Sequence, residues 1–168
     1  VIYNAEKKTA VAIDYRAAAP ATAKFPGKIP SAGHAAAGVP GTVAGLTTAL
    51  AKYGTMPLHR VMAPAIVLAE QGFTVSPTLS SMIQDNFAKI AKNPPLSAVV
   101  CHDGLPLEAG ATLKNPDLAL TMHKIAAGGP DVFYRGELAD AIAAEMAANG
   151  GFITKTDLAS YKAVVREP

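Results

Sequence analysis

The chain has 168 residues, enough for one domain with a real hydrophobic core, since chains of this size bury roughly 70% of their extended surface. Half of it is hydrophobic and 17% is charged, and its 15 basic and 13 acidic residues are spread along the chain for a net charge of +2. That balance lacks the basic stripe of a nucleic-acid binder, no window approaches the ~18 consecutive apolar residues of a membrane helix, and the single cysteine, Cys101, excludes an intrachain disulfide.

Val11, Ile13 and Tyr15 alternate with Ala12, Asp14 and Arg16, and Val1 to Tyr3 is a second short apolar run across the polar connector NAEKKT, which predicts an antiparallel hairpin over 1–16. The abrupt start at Val1, inside an expected strand and without methionine, reads as that of a fragment or processed product. Residues 17–40 mix Pro, Gly and Ala without a period and predict a long surface loop, of which Ala17 to Gly38 should be the least protected segment of the chain.

From Thr42 the pattern turns helical: Val43, Leu46, Leu50 and Tyr53 share one face and Gly54 stops the run. In LHRVMAPAIVLAEQG a broad apolar stripe predicts a largely buried helix, kinked or started by Pro64 and closed by Gly72. Ser76-Pro77 is an N-cap and first-turn pair for a helix to about Ala91, ended by Asn93-Pro94-Pro95. A short apolar strand at 98–101 should lead to a turn at Asp103-Gly104. Asn115-Pro116-Asp117 starts a helix with Leu118, Met122 and Ile125 as its core stripe, ended by Gly128-Gly129. Residues 137–149 repeat the pattern through Leu138, Ile142 and Met146, and Thr154 with Asp157 forms a capping box before a last strand within 162–168. The fold class is therefore α+β and mostly helical. A lone hairpin is rarely stable, so strands outside this chain are expected to flank it.

None of His34, His59, His102 and His123 stands four residues from another or beside a cysteine pair, so neither a metal site nor a cofactor is called for. Cys101 and His102 are neighbours in an extended segment and point to opposite sides, which favours a structural cysteine over a thiol and base. Ser31, in SAGH with His34, lacks the strand, elbow and helix setting of a serine nucleophile. GVPGTVAG has neither the spacing nor the lysine of a phosphate loop, and Gly41 and Gly45 read as clearance for close packing of a helix start. Arg16, where strand gives way to loop, is either a surface ion-pair partner or a fixed fork for a carboxylate. Composition does not choose between these.

Taken in order, VIYNAEKKTAVAIDYRAAAP, GVPGTVAGLTTALAKYGTMPLHRVMAPAIVLAEQGF, NPDLALTMHKIAAGGPDVFYRGELADAI and NGGFITKTDLASYKAVVREP resemble, from end to end, the large subunit of gamma-glutamyltransferases, also called gamma-glutamyltranspeptidases. The resemblance implies part of a four-layer αββα N-terminal-nucleophile hydrolase: hairpin 1–16 in a central sheet, loop 17–40, helical layer 41–161 and strand 162–168. It implies a precursor that cuts itself into large and small subunits. The partners it implies are that small subunit, a gamma-glutamyl donor such as glutathione, and an amino acid, a peptide or water as acceptor. The threonine that begins the small subunit would be the nucleophile, so the fragment alone is expected to be inactive, with no catalytic residue of its own. A periplasmic or secreted location is implied by the family only.

One family site maps here. The arginine that holds the alpha-carboxylate of the gamma-glutamyl group matches Arg16 in DYRAAAP, although relatives usually follow it with glutamate where Ala17 stands. That departure keeps the cephalosporin and glutaryl acylases of the same fold open as an alternative. A non-catalytic helical binding domain is the other.

Overall fold

The computed structural model describes residues 1–24, 27–28 and 30–168. Its architecture is α+β and mostly helical. β1 (Ile2–Asn4) and β2 (Thr9–Asp14) form the predicted hairpin, in register Ile2↔Val11 to Asn4↔Thr9, and Asn4 Oδ1 accepts from the Lys7 N–H at 2.9 Å to turn the connector. β2 stops at Asp14, so Arg16 lies just beyond the strand rather than inside it. After a 3-10 turn at His34–Ala36, α1 (Thr42–Tyr53) occupies the span that its apolar spacing predicts, and the Gly54 N–H closes it on the Leu50 carbonyl.

α2 (Leu58–Gln71) carries Pro64 in its interior and buries only Ile66 and Ala69, while Val61, Val67 and Leu68 are exposed. The largely buried helix of the sequence reading is thus corrected: a helix packed on one side covers one narrow stripe, whatever the polarity of the rest. Gly72, at φ 90°, reverses the chain into β3 (Phe73–Thr74). α3 (Pro77–Asp85) starts as predicted, with Ser76 Oγ accepting from the Leu79 N–H at 3.2 Å. It breaks at Asn86, whose side chain donates to the Met82 carbonyl at 2.9 Å, and α4 (Phe87–Ile90) follows.

Asn93-Pro94-Pro95 begins α5 (Pro94–Val100) instead of only ending a helix. Asn93 Oδ1 accepts from the Leu96 N–H at 3.1 Å, and both prolines sit in the first turn, where no N–H is required. Residues 98–100 are accordingly helical, and the predicted strand shrinks to β4 (Cys101–His102), paired with β5 (Leu105–Pro106) across the Asp103-Gly104 turn. β6 (Thr112–Leu113) pairs with β3. In α6 (Pro116–Gly128) Ile125 is buried and Met122 half-buried as predicted, but Leu118 is exposed and its neighbour Ala119 is buried in its place.

α7 (Pro130–Tyr134), α8 (Glu137–Ala148) and α9 (Lys155–Ser160) follow, α9 opening on the Thr154–Asp157 capping box. β7 (Val164–Arg166) pairs antiparallel with β2, Ala12↔Arg166 to Asp14↔Val164, making a three-stranded sheet in the order β1-β2-β7. The chain itself therefore supplies a strand that the sequence reading sought outside it.

Two compact units result: residues 1–58 with 124–168, and residues 59–123. The first has a core of Val39, Tyr134, Ala139, Ile153 and Leu158, with Phe133, Ile142, Met146 and Tyr161 packed against it. The second buries Ile66, Val75, Ile83, Ile90 and Leu113, and its buried Ser80 donates to the Leu107 carbonyl at 3.1 Å.

Candidate functional site

Arg16 stands two residues past Asp14, the last residue of β2, and β2 is held on one edge by β1 and on the other by β7. The strand end is therefore a fixed mount. Its nearest acid in sequence, Asp14, is already engaged. Arg166 on β7 forks onto Asp14 Oδ2 through Nε and Nη2, each at 2.9 Å, while Asp14 Oδ1 accepts the Arg16 backbone N–H at 3.3 Å. Among the described residues no carboxylate pairs with the exposed Arg16 guanidinium. The ion-pair role that one reading gave to Arg16 belongs to Arg166.

The loop after Arg16 is pinned at both ends. Ala18 and Val39 exchange backbone hydrogen bonds of 3.2 and 2.8 Å, Val39 is buried, and the Ala21 N–H donates to Asp157 Oδ1 at 2.9 Å. This return brings the glycine-punctuated stretch back to the strand end. An open cleft of about 570 Å³ results, with Asp14, Tyr15, Arg16 and Ala17 on one wall and Pro40, Gly41 and Thr42 on the other. Thr42 is the first residue of α1, so the positive end of that helix dipole borders the cleft beside Arg16.

Gly41 and Gly45 make this apposition possible. A Cβ at Gly41 would fall inside the Tyr161 hydroxyl and the Tyr15 carbonyl, and one at Gly45 inside the Tyr15 ring. Their role is clearance, as the packing reading of GVPGTVAG has it.

Two tyrosines that sequence reasoning missed as site residues hold the walls. The Tyr161 hydroxyl donates to the Arg16 carbonyl at 2.8 Å. The Tyr134 hydroxyl donates to the Pro40 carbonyl at 2.8 Å and accepts from the Ala44 N–H at 3.1 Å. The rings stack with centroids 5.7 Å apart and planes 9° from parallel. Burial pushes both hydroxyls above the ordinary phenol value; the Ala44 N–H partly offsets this at Tyr134, and the Asp14 charge adds to it at Tyr161. Both stay protonated at neutral pH and keep donating. Partners 94 and 145 residues away leave no local signal in the sequence.

The other candidates are separate from this cleft. His34 meets Glu145 at 2.9 Å, His123 meets Glu70 at 2.8 Å, and His102 lies 3.4 Å from Asp103 on an exposed turn. Ser31 is exposed in the loop. No group of three or more His, Cys, Asp or Glu side chains suited to a metal ion occurs among the described residues.

A guanidinium without a carboxylate partner among the described residues, mounted on a sheet end beside a helix N-terminus, has the charge and geometry to hold a small carboxylate. The fold in which this occurs has a family. The family model for Gamma-glutamyltranspeptidase matches residues 1–168, and the chain belongs to that family. It is 42% identical over 179 residues to the glutathione hydrolase proenzyme of Escherichia coli (strain K12), covering all of this chain and 31% of that protein. It is 47% identical over 136 residues to the acylase ACY 1 proenzyme of Pseudomonas sp. (strain SE83), covering 81% of this chain and 24% of that protein. The crystal structure of Helicobacter pylori gamma-glutamyltranspeptidase superposes with a TM-score of 0.93 at 36% identity, over 100% of this chain and 51% of that one. The chain thus spans between about a quarter and a third of these two curated relatives.

Proposed function

We propose that this chain is a large-subunit region of an autoprocessed gamma-glutamyltransferase, and that Arg16 holds the alpha-carboxylate of the gamma-glutamyl donor. The observation that carries the reading is the Arg16 guanidinium, which has no carboxylate partner among the described residues, while Asp14 pairs with Arg166. Family membership and the proenzyme relatives support the rest.

In this account the nucleophile is a threonine that begins the small subunit of the same precursor. Its hydroxyl attacks the gamma-carbonyl carbon of glutathione or a related compound while its own alpha-amine takes the proton. That proton passes to the departing amine, and the ester left on threonine is then cleaved by water or by the amine of an amino acid or peptide. Arg16 contributes by binding: anchoring the carboxylate at the far end of the glutamyl group fixes the reacting carbonyl before attack. A periplasmic or secreted setting accords with the family; no helix of the described residues is long and apolar enough to cross a membrane.

A second reading is favoured by Ala17 and by the acylase relative. A glutaryl group also ends in a carboxylate, so Arg16 could serve a glutaryl acylase equally; only the donor's alpha-amine separates the two. The test uses the complete protein, analysed by mass spectrometry and assayed on gamma-glutamyl and glutaryl anilides. A second polypeptide beginning with threonine and at least tenfold preference for the gamma-glutamyl anilide are expected. Preference for the glutaryl anilide would make it an acylase, and absence of both the threonine-initiated chain and turnover would make it a binding domain.

A further inference from the structure

We propose that Tyr161 and Tyr134 are positioning residues that set the cleft's width and aim Arg16 at the donor carboxylate, an inference that rests on the reading of Arg16 given above. Each cleft wall is an irregular backbone segment, one just past β2 and one just before α1, and neither is stabilised there by a continuous ladder. Beyond the Ala18–Val39 bridge, each receives one phenol: Tyr161 on the Arg16 carbonyl, Tyr134 on the Pro40 carbonyl and the Ala44 N–H. The rings lie against one another, so a rigid aromatic pair, together with the Ala18–Val39 backbone bridge beside it, sets the separation of the two walls.

Tyr134 is 3% exposed and belongs to the core, which ties this spacing to the packed interior. Gly41 has room for only a hydrogen at the point where the Tyr161 hydroxyl passes, so the hydroxyl and the Tyr15 carbonyl occupy the space a side chain would need. The hydroxyls touch backbone, not the Arg16 guanidinium. Their action on a substrate would therefore pass through the direction in which Arg16 leaves the chain.

The experiment compares Tyr161→Phe with wild type in the complete, matured protein, on a gamma-glutamyl anilide and on a 4-aminobutyryl anilide, which lacks only the alpha-carboxylate. Phenylalanine keeps the stack and removes one hydrogen bond. KM for the gamma-glutamyl donor should rise about three- to tenfold, as the loss of one neutral hydrogen bond implies, with kcat within about twofold and the 4-aminobutyryl donor unaffected. Adding Tyr161→Phe to Arg16→Ala should cost nothing further. An equal effect on both donors, an unchanged KM, or a full extra penalty in the Arg16→Ala background would overturn the inference.

Arg16→Ala alone separates the two levels. If it slows both donors equally, the reading of Arg16 fails; if it slows only the gamma-glutamyl donor while Tyr161→Phe has no such effect, the tyrosine inference alone fails. Should Tyr161→Phe not mature, Tyr134→Phe, which frees the opposite wall, is read on the same donors with the same expected KM signature and the same contrary outcomes.

Discussion

Asp14 and Arg166 limit what Arg16 can pair with, and only Asp14 is near it in sequence. Asp14 would be its natural partner, two positions away on an extended chain, but the Arg166 fork holds that carboxylate. Removing the fork should return Asp14 to Arg16. We expect Arg166→Ala to raise KM for a gamma-glutamyl donor about threefold, the scale of one exposed ion pair, although Arg166 does not line the cleft. Asp14→Asn in the same protein should restore it; steady-state kinetics of the single and double variants checks both. Gly41 sets the other limit. Gly41→Ala places a methyl where the Tyr161 hydroxyl and Tyr15 carbonyl already are, and should destabilise the protein by about 1–3 kcal/mol in urea unfolding, the usual cost of overpacking. The motif and the family resemblance single out Arg16 as the proposed anchor, and the glycine spacing made the close packing legible. The tyrosines were not, because a hydroxyl that caps a carbonyl 145 residues away leaves no pattern around itself.

Among the elements, those whose ends carry their own caps were legible. The starts of α3 and α6 and the box before α9 lie where Ser76, Asn115 and Thr154 predict them, and α1, which has no side-chain cap at its start, follows its apolar spacing up to the Gly54 stop. The reading failed where one residue type serves two ends: Asn93-Pro94-Pro95 stops one helical stretch and caps the next, and Asn86 breaks a run that its apolar pattern would continue. β7 was legible as a strand, but its pairing with β2 depends on a partner more than a hundred residues earlier in the chain.

The α9 box also carries a pH dependence. The Asp157 carboxylate accepts from the Ala21 N–H at 2.9 Å, from Thr154 Oγ1 at 2.6 Å and from the Thr154 N–H at 2.9 Å, and these bonds, Ala21 first, hold it below the ordinary carboxylate value against the opposing effect of burial. A depressed folded-state pKa means stability present above the unfolded value and lost as pH falls through the folded one. Asp157→Asn should thus be destabilising near neutrality by about 1–3 kcal/mol. In urea unfolding followed from pH 6 towards pH 3, its deficit against wild type should shrink; a deficit independent of pH would show that the charge is not what stabilises the box.

At the scale of the whole molecule the chain has two compact units, and the cleft belongs entirely to the one formed by residues 1–58 and 124–168. That unit is discontinuous in sequence, so its core is built by side chains from both ends. Val39 comes from one segment, and Tyr134, Ala139, Ile153 and Leu158 come from the other. Leu158 is fully buried at its centre, and Leu158→Ala should cost about 2–5 kcal/mol, a loss that calorimetry would register. Because the same core carries Tyr134 and supports Tyr161, the site's geometry is tied to the fold as well as to the bonds at Arg16 itself.

The central claim is that Arg16 is a carboxylate anchor, and the most direct measurement is kcat/KM of Arg16→Ala in the complete protein on the gamma-glutamyl and 4-aminobutyryl anilides. Charged hydrogen bonds contribute roughly 1.5–3 kcal/mol each, so the gamma-glutamyl donor should lose about one to two orders of magnitude while precursor cleavage proceeds. Arg16→Lys should recover part of it, since an ammonium restores the charge without the planar fork. The 4-aminobutyryl donor should be unchanged. An equal loss on both donors would contradict the account and leave Arg16 a structural residue at the end of β2.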